Sequence, residues 1–388
     1  MIRPIPLARR STIPASDALT AAMFLPEGNG KITVRRRIKM PSTMKILRVV
    51  AAIVLLIAAA SAQSAPAEEG AQQFARIGDL KLQNGQVIRD CRIGYRTFGH
   101  LNDDKSNAVL FPTWFGGRSQ DLMANIGPGK IVDSSKYYVI LVDALGDGVS
   151  SSPSNSSAQP RMQFPRFSIR DMVESQHELL MRVLHLTHVY AVMGISMGGM
   201  QTFQWVVAYP DFMDRAIPIV GSPRLAPFDL LLWQTMIDAV EQNSLWKDGN
   251  YTQQPVPREV DQISQLALST PEHYNQEMTR EKFFASLKTP PDTHFDTNDR
   301  IRQAQAMMGL DVSAPFGGSM QRAAEAVKAP MLIIVDAHDH MVTPGPALEF
   351  AKLKSAETFV LENDCGHLGP GCDMQKVSAA VAEFLAKK

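Results

Sequence analysis
The chain is poor in cysteine, with three in 388 residues. That number cannot build a disulfide framework, and Cys91, Cys365 and Cys372 form no paired C-x-x-C pattern for zinc. It also lacks net charge, with 39 Lys and Arg against 39 Asp and Glu. The balance is uneven. Residues 1–62 hold ten bases and two acids, which leaves 29 bases and 37 acids for the rest. An acidic body has no electrostatic footprint for nucleic acid. Internal repeats and low-complexity tracts are missing as well. No apolar run reaches the roughly 20 residues of a membrane span. The longest, Val49 to Ala60, has twelve. What is present is a 45% hydrophobic chain, long enough for one sizeable core with an insertion.

The basic head reads as a targeting segment. Met44 to Arg48 is a short basic start, Val49 to Ala60 an apolar core, and Ala60-Ser61-Ala62 a signal-peptidase site. Cleavage is expected after Ala62, with Met44 or Met40 as the start and a periplasmic or secreted location. Arg36-Arg37 meets a twin-arginine consensus only in part. Residues 63–79 read as a leader, with Gln63 to Gln73 flexible.

Leu80 to Thr97 reads as a hairpin turning at Asn84-Gly85, with Cys91, Ile93, Tyr95 and Thr97 alternating. Short apolar runs then alternate with helical stretches: Ala108–Phe111, Tyr138–Val142, Val189–Met193, Ala216–Val220, Pro330–Val335 and Thr358–Leu361. This pattern predicts an α/β fold, a mostly parallel sheet with helices on both faces. Residues 80–221 and 329–388 are its two parts. Residues 222–328 carry no strand signal, are rich in Leu, Met, Gln and Ala, and break at Pro255, Pro257, Pro290 and Pro291. They read as a helical lid.

Gly194-Ile195-Ser196-Met197-Gly198 is a G-x-S-x-G motif. Its context gives it weight: it follows the strand Val189–Met193 and precedes a helical stretch, Gly199 to Ala208. Small neighbours permit the sharp strand-to-helix turn that exposes a nucleophilic serine. A serine hydroxyl needs a base, and the chain order of this fold is Ser, then acid, then His. His367 lies in a loop after the last strand. Asp339 lies in the loop after strand Met331–Val335, in a D-x-x-V-x-P turn. Asp336, closer to that strand, is the rival acid and reads as a buried structural carboxylate. The oxyanion donors are expected to be the N–H of Met197 and, from the loop after Ala108–Phe111, the N–H of Trp114. Trp114 also reads as an apolar pocket wall.

These residues lie in blocks that resemble the homoserine O-acetyltransferase family of the α/β-hydrolase superfamily. "NAVLFPTWFGG", "NIGPGKIVDSSKYYVILVDALGDG", "FPRFSIRDMVESQHELL", "GISMGGMQTFQWVVAYPD" and "HFDTNDRIRQAQAM" follow that family's order from about Gly94 to the C-terminus. The resemblance implies an α/β-hydrolase core, a helical lid, ping-pong acyl transfer and a dimer through the lid. The departures are specific. The oxyanion loop reads Pro112-Thr113-Trp114-Phe115-Gly116 in place of a His-Ala-Leu-Thr-Gly-like run. Pro257 to Leu268 lacks the Gly-Leu-x-x-Ala-Arg stretch whose arginine holds the amino-acid carboxylate. Gln234-Thr235-Met236-Ile237 stands in place of Arg-x-Ala-Ile. Acyl-transfer machinery without a homoserine pocket points to hydrolysis of a small carboxylic ester with no coenzyme.

Three other readings stay beside it: an acyltransferase using an acyl-CoA donor, a non-catalytic binding protein of the same fold, and a metal site. The last would draw on Asp336, His338, Asp339, His340, Cys365, His367, Cys372 and Asp373, whose spacing matches no compact zinc pattern. Cys91 reads as a buried strand residue. Cys365 and Cys372 flank His367 and read equally as a bridge across a pliable loop or as two free thiols.

Overall fold
The computed structural model describes residues 68–255, 258–289 and 293–387. The signal-like segment Met44 to Ala62 and the breaks at Pro257, Pro290 and Pro291 lie outside them. Eight strands form one sheet: β1 (Gln73–Lys81), β2 (Val87–Phe98), β3 (Ala108–Pro112), β4 (Tyr138–Val142), β5 (Val189–Ile195), β6 (Met213–Ile219), β7 (Leu332–Asp336) and β8 (Glu357–Leu361). Their order is β1-β2-β4-β3-β5-β6-β7-β8. The β1/β2 and β2/β4 pairs are antiparallel, and all other neighbours are parallel.

The apolar runs form buried strands because both sheet faces are covered. Ala108 and Leu110 join one hydrophobic cluster, and Val109 and Phe111 join the other. Two expectations are corrected. Residues 63–79 are not all leader, since β1 begins at Gln73 and pairs Phe74 with Gly94 and Ala75 with Ile93. Its alternation is hard to read because the register shifts around Gly78 and its outer face carries charge: Arg76 pairs with Asp90, and Asp79 with Arg89. The hairpin link is also longer than two residues. Leu82 N–H donates to Gln86 O (2.9 Å), and Asn84 Oδ1 accepts from Gln86 N (2.9 Å), so Asn84 closes a side-chain turn inside a wider loop.

The longer helices are α1 (Ile169–Glu178), α2 (Met197–Ala208), α3 (Pro227–Glu241), α4 (Arg258–Leu268), α5 (Pro271–Glu277), α6 (Arg280–Ser286), α7 (Thr297–Met308), α8 (Met320–Ala326), α9 (Gly345–Lys354) and α10 (Met374–Ala386). Met172 of α1, Phe203 of α2 and Phe350 of α9 pack in the first cluster, while Val377, Val381 and Phe384 of α10 pack in the second. Helices α3 to α8 lie between β6 and β7. Among them α7 is tied to the core by polar side chains. Arg302 Nε donates to Phe164 O (3.1 Å), Gln303 Nε2 to Leu145 O (3.0 Å), and Asp299 accepts from Ser154 N (2.9 Å). No described helix is long and apolar enough to cross a membrane.

The Asp299 attachment carries a pH dependence. Burial, and next the charge of Asp296, push its carboxyl from 3.8 up to about 8, against the opposing pull of the Ser154 bonds and Arg118. Asp147, buried beside Asp143, is raised for the same reasons. A carboxyl raised on folding holds its proton more tightly folded than unfolded. Its contribution is therefore most favourable below the unfolded value and declines until the folded value is passed. The melting-temperature difference between wild type and Asp299→Asn should move in the variant's favour as pH rises from 3.8 to about 8. A pH-independent difference by calorimetry would contradict this.

Candidate active site
β5 ends in a tight strand-to-helix turn. Gly194 and Gly198 flank it, and neither has room for a side chain. A Cβ on Gly194 would lie 2.3 Å from the backbone carbon of Gly198, and one on Gly198 would lie 2.6 Å from Pro112 O. Between them Ser196 adopts φ +57 and ψ −120, a conformation that costs a non-glycine residue about 1–3 kcal/mol. It is held by its N–H on Ile219 O (2.8 Å) and by Met200 N–H on its carbonyl (2.9 Å). Helix α2 begins at Met197, two residues earlier than the pattern suggested, so its first N–H groups surround the serine.

Asp339 and His367 arrive from the ends of β7 and β8, two and three strands from β5. His367 follows β8, with Nε2 2.8 Å from Ser196 Oγ and Nδ1 2.7 Å from Asp339 Oδ2. Asp339 follows β7, and its other oxygen accepts from Met341 N (2.8 Å) and Val342 N (2.9 Å). These two bonds, both within the D-x-x-V-x-P turn, fix the carboxylate plane. All three side chains are buried. Asp336, the rival acid, is at the end of β7, fully buried against Gly369, and takes His338 N–H on Oδ1 (2.9 Å). Burial pushes it up to about 6. The imidazole is bonded to Asp339, not to it.

The loop after β3 is pinned on three sides. Thr113 N–H donates to Val142 O (3.0 Å), Thr113 O accepts from Gln201 Nε2 (3.0 Å), and Gly116 N–H donates to Gln303 Oε1 (2.9 Å). The Gln201 amide belongs to a buried chain, with Trp205 Nε1 donating to Gln176 Oε1 (2.7 Å) and Gln176 Nε2 to Gln201 Oε1 (2.5 Å). Among the described residues, the N–H groups of Trp114 and Met197 have no protein acceptor. Gln176, Gln201 and Gln303 were missed as site residues in the sequence. Each lies in a block quoted for the family resemblance, yet nothing in the type or spacing of a glutamine marks it as a loop brace.

Ser196 and His367 open on a cavity of about 510 Å³. Its walls include Trp114, Phe115, Trp233, Phe295, Met341 and Leu368, so it is mainly apolar. Arg300, His294 and Asp121 add polar groups to its lining. Seven of the eight residues considered for a metal are engaged in other contacts, and His340 is exposed. Cys365 and Cys372 are joined in a disulfide, Asp339 holds His367, His338 Nδ1 lies 2.9 Å from Asn363 O, and Asp373 pairs with Lys376.

Residues 109–370 match the family described as the alpha/beta hydrolase fold, and the chain belongs to that family as one of its enzymes. A probable esterase of Corynebacterium glutamicum is 34% identical over 78% of this chain and 90% of its own length. Ethyl acetate hydrolase of Pseudomonas veronii is 32% identical over 82% of this chain and 96% of its own. Homoserine O-acetyltransferases are relatives too, that of Methanococcoides burtonii at 30% identity over 69% of this chain and 62% of its own. The solved structure of the acetyl esterase MekB superposes with a TM-score of 0.77 at 30% identity, covering 82% of this chain and 98% of that one.

The cysteines divide as two bridged and one free. Cys91 is fully buried on β2, and burial pushes its thiol up to about 12. In oxidised protein, thiol counting under denaturing conditions should find one thiol, on Cys91, together with a crosslinked Cys365–Cys372 peptide. The native protein should resist alkylation. Three thiols in the oxidised protein would contradict the bridge.

Proposed function
We propose that this enzyme hydrolyses small carboxylic esters through an acyl-enzyme on Ser196, with His367 as general base and acid and Asp339 as the residue that orients it. The observation that carries the reading is the continuous relay Asp339–His367–Ser196, at 2.7 and 2.8 Å, at the edge of a mainly apolar cavity. With Nδ1–H donating to Asp339, Nε2 is left as the acceptor for the serine proton. Ser196 Oγ attacks the ester carbonyl as His367 takes that proton. The carbonyl oxygen becomes negative between the N–H groups of Met197 and Trp114, each such donor typically worth about 10²–10³ in rate. The tetrahedral adduct collapses when His367 returns the proton to the departing alcohol. Water then repeats the sequence in reverse roles and releases the acid.

Hydrolysis is favoured over transfer by two facts. Esterases are among the close relatives, and the acyl pocket machinery stands here without the arginine-bearing lid stretch of the acetyltransferases. Acetyl esters are the natural first substrates, since relatives of that name act on them. Export belongs to the same reading. It rests on the Met44–Ala62 pattern and on a disulfide beside the base, which persists in an oxidising compartment. A dimer through the lid, implied by the family resemblance, is proposed with it.

Ser196→Ala and His367→Ala should each lower ester turnover by up to about 10⁶, with the double variant little worse. Asp339→Asn should cost somewhat less, about 10⁴. Asp336→Asn being the more damaging carboxylate change would overturn the role of Asp339. Acetyl-CoA-dependent acetylation of homoserine faster than ester hydrolysis would overturn the hydrolase reading.

A further inference from the structure
A second, far smaller cavity of about 10 Å³ lies behind the first. The two share Phe115, Trp233 and Arg300 as lining residues. Beyond that boundary the smaller one is closed by apolar side chains, Met236, Ile237 and Val240 of α3 and Ile301 and Ala304 of α7. The partition itself is aromatic. Phe115 meets Trp233 edge-on, ring centroids 4.8 Å apart, and is held on another side by Phe295 at 5.3 Å. Trp233 is 2% exposed. Its indole N–H has no acceptor among the described residues, so it serves no polar contact there. A buried donor without an acceptor is a cost, and what the indole supplies in return is bulk at this one place.

The chemistry of the relay says which arm of an ester meets that wall. The departing alcohol must take its proton from His367 Nε2, so it lies beside the base loop with Leu368 and Pro370. The carbonyl oxygen points to the N–H groups of Trp114 and Met197. The remaining substituent, the acyl chain, runs along the oxyanion loop, where the residue after Trp114 is Phe115. We infer that the Phe115–Trp233 partition ends the acyl-binding side of the cavity and selects esters of short acyl groups. This rests on the ester-hydrolase reading above.

Truncating Trp233 should join the two spaces and lengthen the accepted chain. Each methylene that finds new apolar cover is worth a factor of about four in transition-state binding. In Trp233→Ala the ratio of kcat/KM for nitrophenyl octanoate to that for nitrophenyl acetate should therefore rise by about 15- to 60-fold, for two to three methylenes. Trp233→Leu, which keeps more of the packing, should show a smaller rise and guards against misfolding of the alanine variant. Adding Ala304→Leu should refill the rear space and reverse the gain. The same variants in a Ser196→Ala background, titrated with methyl acetate and methyl octanoate by calorimetry, read the wall without catalysis. Octanoate binding should strengthen on truncation and weaken again on refilling. An unchanged chain-length ratio and unchanged octanoate binding in folded Trp233→Ala and Trp233→Leu would overturn the assignment, as would a gain that survives Ala304→Leu. Failure of wild type to cleave any of these esters would instead sink the ester-hydrolase reading, and the calorimetric arm would still decide the wall.

Discussion
The structure depends on one steric constraint, the contact of three backbones around Ser196. The end of β5, the start of α2 and the end of β3 come so close that Gly194 faces Gly198, and Gly198 faces Pro112 O, with no space for a Cβ. That approach forces the positive φ of Ser196 and lifts its hydroxyl above the strand ends. It also brings the loop that continues from Pro112 against the first turn of α2. Ser196 and the N–H groups of Met197 and Trp114 are thus placed by one contact, and the parallel order β5-β6-β7-β8 carries Asp339 and His367 to the same edge. Ligand sites at the carboxyl ends of parallel strands follow from this topology.

The strain at Ser196 is offset by rigid surroundings. The chain of buried amides from Trp205 through Gln176 and Gln201 to Thr113 O links α1, α2 and the loop after β3, with every bond 2.5–3.0 Å. Gln303 adds a brace from the helical insertion. Polar networks that are fully paired in low dielectric fix geometry well, because any displacement leaves a buried group unpaired. On the base side, the loop holding His367 is fastened by the Cys365–Cys372 bridge and by Asn363 Nδ2, which donates to Asp373 (2.9 Å). Such a short bridge adds little to global stability, and it ties together the two ends of the segment that carries His367.

Much of this was legible in the chain. The buried strands announce themselves because both faces are apolar, as at Ala108–Pro112 and Leu332–Asp336. The elbow is legible because it needs a particular spacing of small residues. The Asp339 turn is legible through its place in the loop after β7 and its D-x-x-V-x-P form, while the two N–H groups that close on the carboxylate appear only in the structure. β1 was hidden by Gly78 and by its charged outer face. The glutamine braces and the Phe115–Trp233 partition were hidden for a different reason: residues from 25 to over 180 positions apart meet there, and neither periodicity nor motif encodes such meetings. Helix α3 illustrates the limit. Trp233, Met236, Ile237 and Val240 share one buried face, which reads as ordinary core until the neighbouring cavity is seen.

The central claim is that the acyl group passes through Ser196, and trapping that intermediate tests it most directly. Wild-type enzyme mixed with nitrophenyl acetate, quenched in acid within the first turnover and digested, should carry one acetyl group on the peptide containing Ser196. Ser196→Ala protein should carry none. Ester cleavage by wild type with no acetyl on that peptide, or with the acetyl on a different residue, would contradict the account.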